Sequence, residues 1–139
     1  MTFHFVIQSD LHEQRDVQKR ILDYVEAAHW EGNDIFGIKL AMEEAIINAI
    51  KHGNKFDRDK HVTLFGSVTK DRIEINVEDQ GEGFCRDEVP DPTEEENLTK
   101  CSGRGILLME AYMDEISYHN HGRRCRIVKT RNNNGDGQR

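Results

Sequence analysis

The chain has 139 residues, of which 36% are hydrophobic and 32% charged, and its 26 acidic and 19 basic residues give a formal net charge of −7. This length and composition are typical of a single globular domain, and the acidic balance argues against a nucleic-acid-binding protein, which needs a basic surface. The chain shows no leader pattern, no apolar run of about 18 residues and no CxxC among its cysteines (Cys85, Cys101, Cys125), which favours a cytoplasmic protein without a membrane span.

The first part of the chain alternates between strand and helix patterns. Residues 3–8 place apolar side chains at every second position and predict a strand. Asp10 is suited to cap a helix, and apolar residues recur at helical spacing over residues 10–28. We predict a second helix over residues 34–51, which the glycine of the sequence HGN ends.

The second part of the chain is richer in strands. Residues 61–69 and 72–79 predict a hairpin, and the acidic, proline-containing residues 86–100 predict a long loop of the kind that often serves as a lid. The last predicted elements are a short apolar helix at residues 106–113, a strand pair around Gly122 and a frayed tail at residues 131–139.

The order of these elements predicts the fold class. Strands that follow one another in pairs favour an α+β two-layer sandwich, in which helices cover one face of a mixed, mainly antiparallel sheet. A doubly wound sheet would instead alternate single strands with helices. We therefore predict one domain over residues 1–130, followed by the tail.

Polar residues on the second helix form a first candidate site. Glu44 and Asn48 lie one helical turn apart on the same side, Lys51 lies at the edge of that side, and Glu43 points about 100° away from Glu44. An amide oxygen such as that of Asn48 is a hard ligand that suits Mg²⁺. The alternative is an ordinary solvated helix face.

Two glycine-containing segments form further candidates. The sequence EDQGEGF puts Asp79 at a strand end, and Gly81 and Gly83 permit a close approach of the backbone; the alternative is a simple turn. The sequence SGRG at residues 102–105 opens a helix, where backbone N–H groups favour phosphate; the alternative is a simple helix cap. Neither segment matches an EF-hand or a P-loop.

Taken in this order, the three motifs resemble the N, G1 and G2 boxes of the GHKL ATP-binding superfamily, whose domain has the Bergerat fold. The sequences EEAIINAIKHGN, VEDQGEGF and SGRGILLMEAYMDEISY are most similar to its small stand-alone serine/threonine kinases, the anti-sigma factors. The resemblance covers about residues 3–130, nearly the whole chain.

The resemblance implies ATP and Mg²⁺ as cofactors and a role for each motif residue. Asn48 matches the Mg²⁺ ligand, Glu44 the general base, Lys51 a phosphate contact and Asp79 the acceptor of a hydrogen bond from the adenine amino group. A departure from the family is that Cys125 stands where a threonine often supports that aspartate. The glycine-motif residues expected around the base and the phosphates are Gly81, Gly83, Ser102, Gly103, Arg104 and Gly105.

The function implied by the resemblance is that of a serine/threonine protein kinase acting as an anti-sigma factor. Such a protein is expected to be a homodimer that holds a sigma factor and phosphorylates a small STAS-type antagonist protein. Two alternatives stay open, a non-catalytic ATP-binding switch and a catalytic domain of the histidine-kinase type. A fourth reading is a non-enzymatic α+β domain with glycine turns that arose by chance.

Overall fold

The computed structural model describes residues 1–81 and 112–131. The predicted α+β fold class is confirmed, while the predicted loop at residues 86–100 and most of the predicted helix at residues 106–113 lie outside the described residues. In chain order the elements are β1 (Thr2–Gln8), α1 (Leu11–Ala27), α2 (Gly32–Asn48), a π-helical turn (Ala49–Gly53), β2 (His61–Val68), β3 (Arg72–Glu78), β4 (Glu115–His119) and β5 (Arg124–Thr130).

The five strands form one sheet in the order β1-β2-β3-β5-β4. All four neighbouring pairs are antiparallel, so the sheet is antiparallel throughout in the part of the chain that the structure describes. On the central strand β3, Ile73, Ile75 and Val77 are buried on one face. The opposite face is polar and carries an ion pair in which Arg126 Nε lies 3.2 Å from Glu74 Oε2.

Helices α1 and α2 cover the apolar face of the sheet and provide most of the helical side of the core. Each fully buried isoleucine or methionine there contributes about 2 kcal/mol of burial free energy. The fully buried residues of the two helices are Ile21, Val25, Ile38, Ala41, Met42 and Ile46. Neither helix is long and apolar enough to cross a membrane, and no other helix of the described ranges is.

A pair of buried glutamines connects α1 to α2, which the apolar pattern did not predict. Gln14 Nε2 donates to Gln18 Oε1 at 2.7 Å, and Gln18 Nε2 donates to the carbonyl oxygen of Lys39 at 3.3 Å. Because the two amides and the carbonyl satisfy one another, the glutamines can be buried between the helices without a large desolvation cost.

Local side-chain hydrogen bonds explain where two of the elements begin. Asp10 caps α1 as predicted, since its Oδ1 accepts a hydrogen bond from the backbone N–H of His12 at 2.7 Å. In the predicted turn between β2 and β3, Thr69 Oγ1 accepts from the N–H groups of Asp71 and Arg72 at 3.2 and 3.0 Å. The helix predicted over residues 10–28 is observed at Leu11–Ala27.

Candidate functional site

Glu44 and Asn48 lie on the last two turns of α2, at the predicted spacing of one helical turn. Both side chains are half-buried, next to the buried Ala41 and Ala45. Neither side chain forms a hydrogen bond with another residue of the described ranges. The carboxylate and the amide are therefore held by a packed helix while their polar atoms stay available for a ligand.

We predicted that the second helix would end at residue 51. The observed α-helix ends at Asn48. It continues as a π-helical turn over Ala49–Gly53, in which the N–H of Asn54 donates to the carbonyl of Ala49 at 2.8 Å. Lys51 lies within this turn and is exposed. Single π-helical turns of this kind occur frequently at functional sites.

Asp79 follows β3 and extends its buried face by one position. Because side chains alternate across a strand, Asp79 points to the same side as Val77, toward the helices. It is only 9% exposed. Its Oδ1 accepts a hydrogen bond from the N–H of Gly81 at 2.8 Å, and its own N–H donates to the carbonyl of Arg123 at 2.9 Å.

The end of the π-helical turn closes directly against Asp79. A Cβ atom added to Gly53 would overlap the Asp79 carboxylate, and one added to Gly81 would overlap the carbonyl oxygen of Gly53. Gly81 therefore permits the close approach of the backbone that was predicted for it. The described glycines with positive φ are Gly32 and Gly122. The residues after Asn48 and the residues after β3 thus meet at one place.

The carboxyl of Asp79 is unusually hard to ionise for an aspartate. Burial raises its pKa from 3.8 to about 6, and the hydrogen bond from the N–H of Gly81 opposes this rise. The positive charge of Arg123 also lowers the pKa, the negative charge of Glu78 raises it, and the positive charge of Lys60 lowers it. A buried carboxylate with a shifted pKa at the edge of a helix layer is typical of a functional site.

Asn54 holds this region together, and the sequence analysis missed it. The residue is 1% exposed; its Nδ2 donates to Ser9 Oγ at 2.8 Å and to the carbonyl of His61 at 2.9 Å, while its Oδ1 accepts from the N–H of Gln80 at 2.8 Å. Asn54 therefore joins the residue that follows β1, the first residue of β2 and the residue that follows Asp79. The only signal in the sequence was its place in HGN, which we interpreted as a helix end.

Arg123 lies beside Asp79, and the role of Cys125 as a support for Asp79 stays a prediction. In the register of the sheet, Cys125 lies opposite Val77, two residues before Asp79, and on its other side opposite Tyr118. Burial raises the pKa of the Cys125 thiol to about 12, while a hydrogen bond from Tyr118 lowers it. The position beside Asp79 is occupied by the backbone and guanidinium of Arg123.

Several predicted site residues belong to the part of the chain that the structure does not describe. Gly83, Ser102, Gly103, Arg104 and Gly105 lie outside the described residues, as do Cys85, Cys101 and the tail at residues 132–139. In the described ranges, no group of three or more histidine, cysteine, aspartate or glutamate side chains could hold a metal ion. Among the residues that the structure describes, Asn48 could contribute to a Mg²⁺ site, because its amide oxygen is a hard donor of the kind that this ion prefers.

A family model covers most of the chain. The model of the histidine kinase-like ATPase domain matches residues 7–130. The serine-protein kinase RsbW of Bacillus subtilis is 33% identical over 95 residues, which cover 64% of this chain and 59% of that protein. The anti-sigma F factor of Clostridium perfringens is 37% identical over 89 residues, which cover 62% and 63% of the two chains. The matched part thus spans about three fifths of the length of these curated relatives.

A solved structure has the same fold. The crystal structure of the RsbU and RsbW domains of Rv1364c from Mycobacterium tuberculosis superposes with a TM-score of 0.64 at 16% sequence identity. The superposition covers 94% of this chain and 32% of the other. At this identity the likeness concerns the fold alone.

Proposed function

Because the chain belongs to the histidine kinase-like ATPase domain family, we propose that it is an ATP-dependent serine/threonine protein kinase that acts as an anti-sigma factor. The observation that carries this proposal is the contact of Gly53 with Asp79. Through it, the helix that bears Glu44 and Asn48 ends against the buried carboxylate that follows β3.

ATP binds, in this proposal, between the end of α2 and the segment after β3. The Asp79 carboxylate accepts a hydrogen bond from the exocyclic amino group of adenine, for which a carboxylate is a suitable acceptor. The Asn48 amide oxygen holds Mg²⁺, whose charge balances that of the phosphates. Lys51 is an exposed cation on the same helix end and supports the phosphates, together with the expected contacts from Gly83 and from residues 102–105.

Glu44 is the proposed general base of the transfer. Its carboxylate takes the proton of a seryl or threonyl hydroxyl while the hydroxyl oxygen bonds to the γ-phosphorus and the bond to the β–γ bridging oxygen breaks, which leaves ADP. The α2 backbone holds Glu44 one turn from Asn48, so the base and the metal ligand keep a fixed separation. As in other phosphoryl transfers, positioning and charge neutralisation account for most of the rate.

The proposed partners are a sigma factor and a small STAS-type antagonist that receives the phosphoryl group, which would make the protein a cytoplasmic regulator of transcription. The printed names of the relatives, a serine-protein kinase and an anti-sigma F factor, support this assignment. Val6 on β1 and Leu11 on α1 are apolar and 54% and 43% exposed, and the proposed homodimer would cover them.

Nucleotide binding is tested by thermal melting of the full chain with and without Mg-ATP or Mg-ADP. Ligand at a hundredfold excess over its dissociation constant should add about 2.7 kcal/mol to the free energy of unfolding. Equal melting temperatures with and without saturating nucleotide would overturn the proposal at its first step.

Phosphotransfer is tested with labelled ATP, Mg²⁺ and the candidate antagonist proteins of the same genome. We expect Glu44→Ala to lower the transfer rate by about 10² or more while nucleotide affinity is kept. Glu43→Ala is the matched control, since its side chain points away from Glu44, and it should keep both. Equal loss of binding and transfer in Glu44→Ala would refute the assigned base, and binding without any transfer by the unaltered protein would favour the non-catalytic switch.

A further inference from the structure

The turn between β4 and β5 has an unusual backbone and lies against the segment that contains Asp79. Asn120 and His121 have φ values of 54° and 59°, and Gly122 has a φ of 83°. Three successive residues in the left-handed region reverse the chain tightly, so that Arg123, the residue before β5, lies beside Asp79.

Side chains and backbone of this turn hold the segment 78–81 at several points. The carbonyl of Arg123 accepts from the N–H of Asp79 at 2.9 Å, and Arg123 Nε donates to the carbonyl of Gly81 at 2.7 Å. Asn120 Nδ2 donates to Glu78 Oε2 at 2.7 Å, and Arg123 Nη1 donates to the carbonyl of Asn120 at 3.2 Å. Arg123 thus bonds to the residues on which the Asp79 carboxylate depends for its direction.

We propose that Arg123 is a positioning residue for nucleotide recognition, which clamps the turn formed by residues 79–81 so that the Asp79 carboxylate is directed at the base. This proposal rests on the proposed function of Asp79 as the acceptor of the adenine amino group. Arg123 acts through Asp79 and needs no contact with the nucleotide. The guanidinium group of Arg123 has two separate effects. Its Nε–H holds the carbonyl of Gly81, and its positive charge favours the ionised carboxylate of Asp79.

The charged groups around Asp79 decide how its protonation responds to Arg123. Among the described residues these are Arg123 and Lys60, which favour the carboxylate, and Glu78, which disfavours it. Burial already moves the pKa of Asp79 to about 6, so removal of the Arg123 charge moves it further up, toward neutral pH. Protonation turns one of the two acceptor oxygens of Asp79 into a hydrogen-bond donor. The affinity of the variant for nucleotide then falls at a pH where the unaltered protein still binds nucleotide.

The test compares Arg123→Ala, Arg123→Lys and the matched control Arg124→Ala. Arg124 is the next residue, lies on the opposite face of the sheet and has its guanidinium 6.0 Å from the ring of Phe65. Two quantities are measured from pH 5 to pH 8.5: the Asp79 carboxyl titration by ¹³C NMR without nucleotide, assigned with Asp79→Asn, and the Mg-ADP dissociation constant by calorimetry.

We expect Arg123→Ala to shift the midpoint of the Asp79 titration to higher pH and to lower Mg-ADP affinity more at pH 6.5 than at pH 8.5, by up to about tenfold per unit of midpoint shift. Arg123→Lys keeps the charge and loses the Nε–H donor, so its midpoint should stay near that of the unaltered protein while affinity falls equally at every pH. Arg124→Ala should change neither quantity.

The outcomes separate this inference from the proposed function. An unshifted Asp79 titration in Arg123→Ala, or the same change in Arg124→Ala, would overturn the inference even if nucleotide binds. If the unaltered protein binds no adenine nucleotide at any pH, the proposed function fails, and the inference about nucleotide recognition fails with it. The carboxyl titration would then report only whether Arg123 controls the ionisation of Asp79.

Discussion

The α-carbon of Gly53 lies against the carboxylate of Asp79, with no space between them for a methyl group. We therefore expect Gly53→Ala to push the carboxylate or the helix end aside, at a cost of about 1–3 kcal/mol in the free energy of unfolding. Because the Asp79 carboxylate is the proposed acceptor of the hydrogen bond from the adenine amino group, Mg-ADP affinity should fall together with stability. Urea unfolding and calorimetry measure the two effects.

Gly32→Ala is a suitable control for that substitution. Gly32 has a φ of 53° and no atom within 4 Å of an added Cβ, so alanine there costs about 1–2 kcal/mol through backbone strain alone. It should destabilise the protein without changing nucleotide affinity. Unchanged affinity in Gly53→Ala would show that the contact with Asp79 does not matter for binding.

Asp79→Asn should increase stability at neutral pH. The folded state raises the pKa of this carboxyl from 3.8 to about 6, so the folded protein binds the proton more tightly than the unfolded chain. The contribution of Asp79 to the free energy of unfolding therefore falls by up to about 3 kcal/mol as pH rises from about 4 to about 6. Above pH 6 it stays at this lower level.

The measurement is urea unfolding of Asp79→Asn and of the unaltered protein, without nucleotide, between pH 4 and pH 7.5. The difference in unfolding free energy should grow with pH in favour of the variant and level off above pH 6. A difference that is constant over this range would contradict the raised pKa. The variant should at the same time lose affinity for Mg-ADP, a trade of activity for stability that is common at functional sites.

Asn54→Ala should be one of the more damaging single substitutions in the described residues. It removes the three hydrogen bonds to Ser9, His61 and Gln80 and leaves their polar groups without this partner, a loss of about 3 kcal/mol. Thermal or urea unfolding measures it. Asn33→Ala, at an exposed residue of α2, is the control and should change stability by less than about 0.5 kcal/mol.

Cys125 should be inert toward thiol reagents in the folded protein. Its thiol is buried and its pKa is raised to about 12, so almost no thiolate is present at pH 8. In a Cys85→Ser, Cys101→Ser variant, iodoacetamide should leave Cys125 unmodified until urea unfolds the chain. Alkylation of the native variant at the rate of the unfolded one would show that the thiol is accessible.

Elements that depend on neighbouring residues could be predicted closely from the sequence. The helix α1 was predicted within one residue at each end, because its apolar periodicity and the Asp10 cap are both local signals. The inward direction of Asp79 likewise follows from strand alternation. Glu44 and Asn48 lie one helical turn apart as predicted, and their roles in catalysis and metal binding stay predictions.

The features that sequence reasoning missed depend on residues that are distant in the chain. A π-helical turn keeps the apolar residues Ala49 and Ile50 inward as an α-helix would, so the pattern could not reveal it. The partners of Asn54 come from three other segments. The contact of Arg123 with Asp79 depends on strand register, which a hydrophobic pattern does not determine to the residue.

The hydrogen bond between Asn54 and Ser9 has a mechanical consequence. Ser9 joins β1 to α1, and the same asparagine side chain holds the amide that follows Asp79. In the proposed function, strain at the β1–α1 junction would reach the adenine site through Asn54, and because coupling between two ligands is reciprocal, bound nucleotide would in turn oppose movement of the junction. One amide side chain thus links the edge of the domain at Ser9 to the segment that contains Asp79.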